Sequence, residues 1–520
     1  MPISVSFREN RPTRKPMRKN KFWIALGLLI LLCQAAPARA VDLEKKILKA
    51  RLPNGLTVLM MERKFSPTVS LYIRYRVGAV DEAPGQSGAA HFLEHMMFKG
   101  TTTIGAKNYP AEKKLLSSIE KTGQALDRER KKKGSADARR IRRLETRMKR
   151  LQEKHLRSFI PNEIDRLYTE NGGSGMNAAT GQDMTTYYIN LPANKIELWA
   201  RIESDRLLHP VFRQFYTERD VILEERRQRV EASPDGKLFE AFMGRAYATH
   251  PYGIPIIGLP GDLAYLSPAA IRGIHRKYLS PQRIVIAVVG DIDPAKTLDM
   301  IRRYFGRIPN AGSPSLTISA EPEQSAERRV EVLFDANPSL IVGYHKPAPP
   351  AQEDYVFEVL EAILSRGRTS RLYDRLVIQR QIAQSVSAMN GVPAARYPNL
   401  FAIFARPRHP HTNDELQAAI LEEIETIKTH SVTEEELARA KNQLKMDYIK
   451  SLDSNSDLAS ILSYTELLLG DYRHFSDYLP RIQKVTSGDV QAAVMRYLTA
   501  ENRTVAVLNR KPAPGKGGAP

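Results

Sequence analysis

Residues 91–95 read His-Phe-Leu-Glu-His, two histidines four positions apart with a glutamate directly before the second. On a helix, His91 and His95 lie one turn apart on a shared face. Both imidazoles can then reach one Zn²⁺ ion, with Glu94 beside the coordination position left open for water. Those are the parts of a hydrolytic centre. A catalytic zinc takes three protein ligands, and the best source of the third is the run Glu-Arg-Asp-Val-Ile-Leu-Glu-Glu, where Glu218, Glu224 and Glu225 are the carboxylates on offer. The other histidines, among them His209, His409 and His411, have no partner at ligand spacing and read as surface or turn residues.

Such residues need elements to hold them. A chain of 520 residues exceeds what a single core buries and implies roughly two to four domains. The stretch Ser267 to Val288 resembles Thr486 to Val507 at an offset of about 219 residues. In each, a Ser/Thr cap opens an amphipathic helix that ends in Tyr-Leu, a polar turn follows, and a β-branched strand closes the segment. Strands such as Thr68–Val77 and Ile284–Val289 alternate with long amphipathic helices. The predicted class is therefore α+β: two homologous units in tandem, each a mixed or antiparallel sheet packed with helices. The zinc-bearing unit is expected over 41–310 and a second, non-metal unit over 329–510, joined by a Pro/Ser/Glu-rich linker at 311–328. A Gly/Pro-rich disordered tail is expected at 511–520.

The formal charge of +20 would suggest nucleic acid or an anionic surface as partner, but its distribution decides otherwise. Residues 1–40 carry a net +7 and residues 128–157 a net +10, which leaves about +3 for the rest of the chain. Nucleic-acid binding by the body is excluded on that ground. Within 111–160, Leu115, Leu116, Ile119 and Leu126 form one apolar helical stripe; Gly134-Ser135 breaks it; Ile141, Leu144, Met148 and Leu151 form another. This predicts an antiparallel helical hairpin, inserted into the first unit, with a charged and solvated outer face.

The leader reads as a secretory signal. Arg18, Lys19 and Lys21 precede an apolar run from Phe22 to Cys33, too short to span a bilayer, and Ala38-Arg39-Ala40 supplies the small residues at which cleavage after Ala40 is expected. Met17 is an alternative start to Met1. The single cysteine, Cys33, falls inside this leader, so the mature chain has no disulfide or thiol chemistry. A periplasmic or secreted address, with no transmembrane span in the mature chain, follows.

Several segments together resemble the pitrilysin/insulinase/mitochondrial processing peptidase family of metallopeptidases. Besides His-Phe-Leu-Glu-His, Asn177-Ala178-Ala179-Thr180 through Asp183, Thr185 and Tyr187 is similar to a family strand. His250-Pro251-Tyr252-Gly253 is similar to a family turn, and Ser370-Arg371-Leu372-Tyr373 to a segment of the second unit. The resemblance implies one Zn²⁺ per chain on His91, His95 and Glu225, with Glu218, seven residues before Glu225, orienting a ligand, and with Glu94 as general base. It also implies a strand ending near Tyr187 that offers its edge to an extended peptide, with Asn177 contacting the substrate backbone. There are two departures. His95 and Glu225 lie 130 positions apart, further than is usual, and the surplus is the basic hairpin. The Arg and Tyr that family members bring to the transition state fall on Val377 and Gln384, with Arg375, Arg380 and Tyr373 nearby.

The resulting expectation is a zinc-dependent endopeptidase of peptides or small unfolded proteins. It would be the metal-bearing subunit of a heterodimer whose homologous partner lacks zinc and supplies Arg and Tyr. The other reading is a non-catalytic peptide-binding or assembly subunit on a peptidase scaffold.

Overall fold

The computed structural model describes residues 43–511 other than 279, 311 and 313–316. The expected leader at 1–40 and all but the first residue of the expected tail lie outside the described residues. Residues from Ile47 onward pack as one compact unit, and residues 43–46 belong to a separate one.

Among the described residues the strands form two mixed sheets. The first contains β1 (Ile47–Arg51), β2 (Thr57–Glu62), β3 (Thr68–Tyr75), β4 (Ser174–Thr180), β5 (Thr185–Pro192) and β6 (Ile284–Gly290), in the order β1-β2-β6-β3-β5-β4. The second contains β7 (Arg328–Phe334), β8 (Ser339–Lys346), β9 (Ala383–Val392), β10 (Asn399–Pro407) and β11 (Arg503–Arg510), in the order β7-β11-β8-β10-β9. Setting β1 aside, the orders correspond strand for strand. In both, the late strand (β6 or β11) pairs parallel on one side and antiparallel on the other. The repeated helix-turn-strand segments of the sequence deliver those two late strands.

The helices that bear on the site are α1 (Ala89–Met97), α2 (Tyr109–Arg130), α3 (Ala138–Leu156), α4 (Phe215–Arg226), α5 (Pro234–Ala246), α6 (Pro268–Tyr278), α7 (Gln352–Ser365), α8 (Glu434–Lys450), α9 (Asn455–Leu469) and α10 (Ser487–Tyr497). α1, α7 and α10 touch the sheet of their own half, but α5 and α9 cross over. α5 packs on β7, β8 and β11 of the second sheet, and α9 packs on β3 and β6 of the first. Each sheet is therefore covered on both faces, which is why β6 is buried along its whole length and reads as an uninterrupted apolar run. Phe242 of α5, fully buried, sits so close over β8 that a Cβ at Gly343 would lie 2.4 Å from its ring. On the other crossing, the Arg74 guanidinium of β3 donates to Ser463 (2.8 Å) and Ser460 (2.7 Å) of α9. The halves are homologous in topology, but each completes its packing with a helix of the other.

Two of the sequence motifs tie the halves together. Asp183, in the β4–β5 turn, accepts from the backbone N–H groups of Ala395 and Arg396 and from the Tyr252 hydroxyl at 2.6 Å. The Arg396 guanidinium reaches the buried Asp81 with two bonds of 3.0 Å. Glu321, in the segment between the sheets, accepts from the N–H groups of Ala248, Thr249 and His250 and from Arg328.

The hairpin forms as predicted: α2 and α3 run antiparallel, with Glu112 opposite His155 (2.9 Å) and Arg130 opposite Glu145 (2.6 Å). Its arginine-rich outer face is exposed. Its inner face holds charges that helical periodicity did not flag. Arg213, with no solvent exposure, donates to Glu112 at 2.7 and 3.0 Å, and Arg219 donates to Asp127 at 2.8 and 2.9 Å. Between these ties, α2 approaches α4 so closely that a Cβ at Gly123 would lie 2.0 Å from the Tyr216 ring.

Candidate metal centre

α1 buries Ala89, Ala90, Phe92, Leu93, Met96 and Met97 against the first sheet. The remaining positions, His91, Glu94 and His95, share the opposite face, as the i, i+3, i+4 rule requires. Gly88 opens the helix at φ +86°, and the Glu82 carboxylate accepts from the N–H groups of Gly88 and Ala90. Burial pushes the Glu82 pKa up to about 8 against those bonds. The Phe92 ring stacks on Phe215 at 4.6 Å, which seats α1 on the start of α4.

Seven residues is two helical turns, so Glu218 and Glu225 of α4 face α1 together. A Glu225 carboxylate oxygen lies 3.7 Å from His95 Nε2 and 3.9 Å from His91 Nε2. One ligand atom from each of His91, His95 and Glu225 lies within 4.8 Å of the others. A tetrahedral zinc with Zn–N and Zn–O bonds of about 2.0–2.1 Å separates its ligand atoms by about 3.3 Å, so the Glu225 oxygen would close by about half an ångström on each histidine nitrogen to fit. Glu218 Oε1 accepts from His95 Nδ1 at 2.8 Å, and its other oxygen pairs with Lys99 Nζ at 2.6 Å. That leaves His95 Nε2 as the free, ligand-competent nitrogen. The second oxygen of Glu225 pairs with Arg229 at 3.1 Å.

The electrostatics agree with a cation site. Burial, with help from His95 and Arg229, holds the His91 pKa down to about 3, so His91 is neutral and one ring nitrogen keeps a lone pair for a metal. Glu94 is half-buried, and that burial raises its pKa; the Thr180 hydroxyl opposes the rise by donating to Glu94 Oε2 at 2.5 Å. The donor set of two imidazoles and one carboxylate suits Zn²⁺.

The structure brings His91, Glu94, His95, Glu218 and Glu225 into one cluster and leaves Glu224 out. Glu224 is solvent-facing and pairs with Arg227. Asn177 lies on β4, exposed, its Oδ1 accepting from the N–H of Ala178. The expectation of a strand ending near Tyr187 with a free edge is corrected. Tyr187 belongs to β5, which pairs with β3 on one side and β4 on the other. The free edge is that of β4, and the motif from Asn177 to Tyr187 is a hairpin whose turn falls at residues 181–184. Sequence reasoning missed Thr180, Lys99 and Arg229. Only Thr180 left a signal, as a member of that motif.

In the second half, Val377 lies in a π-helical turn over Tyr373–Gln379, and Gln384 is exposed on β9. The nearby arginines are engaged: Arg371 by Glu436 (2.6 Å), Arg375 by Glu423 (3.9 Å) and Arg380 by Glu422 (2.7 Å). α7 and α8 occupy the chain positions of α1 and α4. Their carboxylates Glu361 and Asp447 close on the Arg366 guanidinium, at 3.0 and 2.8 Å, so a side chain of the protein supplies the cation there.

Residues 57–132 and 158–259 match the insulinase family (peptidase family M16), and residues 265–444 match the peptidase M16 inactive domain. The chain is 26% identical to the zinc protease PqqE of Helicobacter pylori over 496 residues, covering 93% of this chain and 98% of that one. A protease structure from Helicobacter pylori superposes with a TM-score of 0.75 at 24% identity, over 90% of this chain and 99% of that one. The first half of the periplasmic protease PqqL from Escherichia coli superposes with a TM-score of 0.66 at 18% identity, over 89% and 92%.

Proposed function

This chain belongs to the insulinase family, peptidase family M16, and from that premise we propose that it is a zinc-dependent endopeptidase acting on peptides or small unfolded proteins. The observation that carries the proposal is the convergence of His91, His95 and Glu225 beside a half-buried Glu94. A Zn²⁺ ion held by those three side chains would supply Lewis acidity and bring the pKa of a bound water toward neutrality. Glu94 accepts the proton of the attacking water and passes it to the leaving amine. Thr180 holds the Glu94 carboxylate in register for that transfer, and Glu218, anchored by Lys99, fixes the His95 ring. An extended peptide adds to the sheet along β4, its backbone within reach of Asn177.

The second half carries no Arg/Tyr pair at 377 and 384, and its nearby arginines are bound to carboxylates. This supports a division of labour in which the chain is the metal-bearing subunit of a heterodimer, and a homologous partner brings the groups that face the oxyanion. The two halves of the chain stand as a zinc-bearing unit at 41–310 and a non-metal unit at 329–510 on either side of the segment 311–328. The leader and the likeness to a periplasmic protease favour export to the periplasm.

The test is hydrolysis of a quenched-fluorescent peptide library by the mature chain with Zn²⁺, wild type against Glu94→Gln. Turnover by the wild type only is expected, in the presence of the homologous partner if not alone. Zinc bound at one per chain with no turnover under either condition would instead favour the non-catalytic assembly reading.

A further inference from the structure

The inserted hairpin creates a cleft that the peptidase site does not use. The family match breaks between residues 132 and 158, an interval that contains α3. The cleft, of about 870 Å³, lies between α2 and α3 on one side and the body of the first half on the other. That volume is in the range of small-molecule sites, about 300–1,000 Å³.

Its existence has a physical cause. The hairpin is fixed to the body by Arg213 with Glu112 and by Arg219 with Asp127. Those ties lie fifteen residues apart on α2, about 22 Å at 1.5 Å per residue. Ion pairs this buried tolerate little displacement, since separating them would leave desolvated charges unpaired. Ile119 and Met148 pack into the core of the first half, with Leu115 and Leu151 against it, and the cleft is the space left beside that packing. Leu116 of α2, Leu156 of α3 and Phe212 of the body line the gap. Leu156 stays 51% exposed, a large apolar side chain with nothing over it.

The rim is cationic. Arg272 is satisfied by Glu120 at 2.6 Å, but Lys113, Lys149 and Arg276 make no ion pair among the described residues, and Glu153 is the one further carboxylate lining the cleft. His275 also lines it. One ring nitrogen bonds the Leu207 backbone, and Nε2 is screened from solvent without a hydrogen-bond partner. An apolar trough under three unpaired cations has the chemistry of one ligand class. We propose that the cleft between the α2–α3 hairpin and the body binds an amphiphile with a single long acyl chain and an acidic head, a long-chain carboxylate. The chain lies along Leu116, Leu156 and Phe212, and the head meets Lys113, Lys149 and Arg276.

The probe is dodecanoate below its micellar concentration, titrated calorimetrically into the intact mature protein. One saturable site per chain is expected, with dodecyltrimethylammonium at least tenfold weaker. The triple variant Lys113→Gln, Lys149→Gln, Arg276→Gln changes exposed side chains only. With three exposed ion pairs lost, it should weaken dodecanoate binding roughly 3- to 150-fold. Leu116→Trp, which fills the trough, should abolish it, with circular dichroism confirming the fold. Co-sedimentation with phosphatidylglycerol but not phosphatidylcholine vesicles, lost in Leu116→Trp, would identify a bilayer as the source of the chain; dodecanoate binding without co-sedimentation would identify a free acid. No saturable site, equal binding of the cationic detergent, or undiminished binding by the triple variant would each overturn the proposal.

Discussion

Thr180→Val is the sharpest test of how the site works. The substitution keeps the shape of the side chain and removes one atom's function, the hydroxyl that donates to Glu94 Oε2 at 2.5 Å. A hydrogen bond to a charged acceptor is worth about 1.5–3 kcal/mol. Glu94 is only half-buried, so the lower part of that range applies. At about 1.4 kcal/mol per tenfold, kcat should fall roughly ten- to thirtyfold. KM should stay within about twofold, since the bond serves Glu94 and leaves the β4 backbone proposed to pair with peptide unchanged, and zinc content should be unchanged, since none of the proposed ligands is touched. The pH profile should move as well. Thr180 stabilises the ionised carboxylate against a burial that disfavours it. Without the hydroxyl, Glu94 takes up its proton at higher pH, and the acid limb of kcat/KM shifts upward. Thr180→Ser should recover most of the rate. The assay is steady-state hydrolysis of a quenched-fluorescent peptide across pH, with zinc quantified on the same samples. A kcat within about threefold of wild type at full zinc occupancy would refute the positioning role.

Four further outcomes follow from the packing. Glu218→Gln, which weakens the carboxylate hold on His95, should lower zinc affinity about 10- to 100-fold in a chelator competition, leaving the fold intact. Phe242→Ala should cost about 3–5 kcal/mol in urea unfolding, because that ring fills the crossing of α5 over β8; a loss below 1 kcal/mol would mean the crossover packing is unimportant. Glu112→Ala strands the fully buried Arg213 and should destabilise by about 3–5 kcal/mol by the same measurement. Glu321 is held down to about 2 by three backbone N–H groups and Arg328, despite a burial that works the other way. A depressed folded pKa adds stability that is present above the unfolded value of 4.5 and is lost as pH falls toward 2. Glu321→Gln should therefore flatten that part of an acid-unfolding profile.

Local pattern carried much of this protein. The helical spacing of His91, Glu94 and His95 and the seven-residue interval from Glu218 to Glu225 depend only on 3.6 residues per turn, so they were legible before any tertiary contact was known. The same holds for the paired helix-turn-strand segments and for the hairpin's two apolar stripes. Two readings went differently, and one pair of motif residues gained a role, because long-range pairing decided them. Asn177 to Tyr187 has the composition of a single strand, but the turn at 181–184 splits it, and which strand keeps a free edge is settled by neighbours far along the chain. Asp183 and Tyr252 belong to motifs shared with the family, and their role in joining the halves is visible only in the tertiary contacts. The buried acids Glu112 and Asp127 read as surface charge on a basic helix until Arg213 and Arg219 come across from another segment.

The sequence by itself determined which side chains face one way on each element, because helix and strand periodicity are properties of the backbone. It therefore set His91 with His95, and Glu218 with Glu225, on single helix faces, and it marked the repeated topology and the charged hairpin. Only the tertiary structure decided which faces meet: that Thr180 reaches Glu94, that α5 and α9 exchange sheets, and that two buried ion pairs tie the hairpin to the body. Those contacts join residues tens to hundreds of positions apart, and their energies depend on desolvation and close packing, which a one-dimensional pattern does not encode.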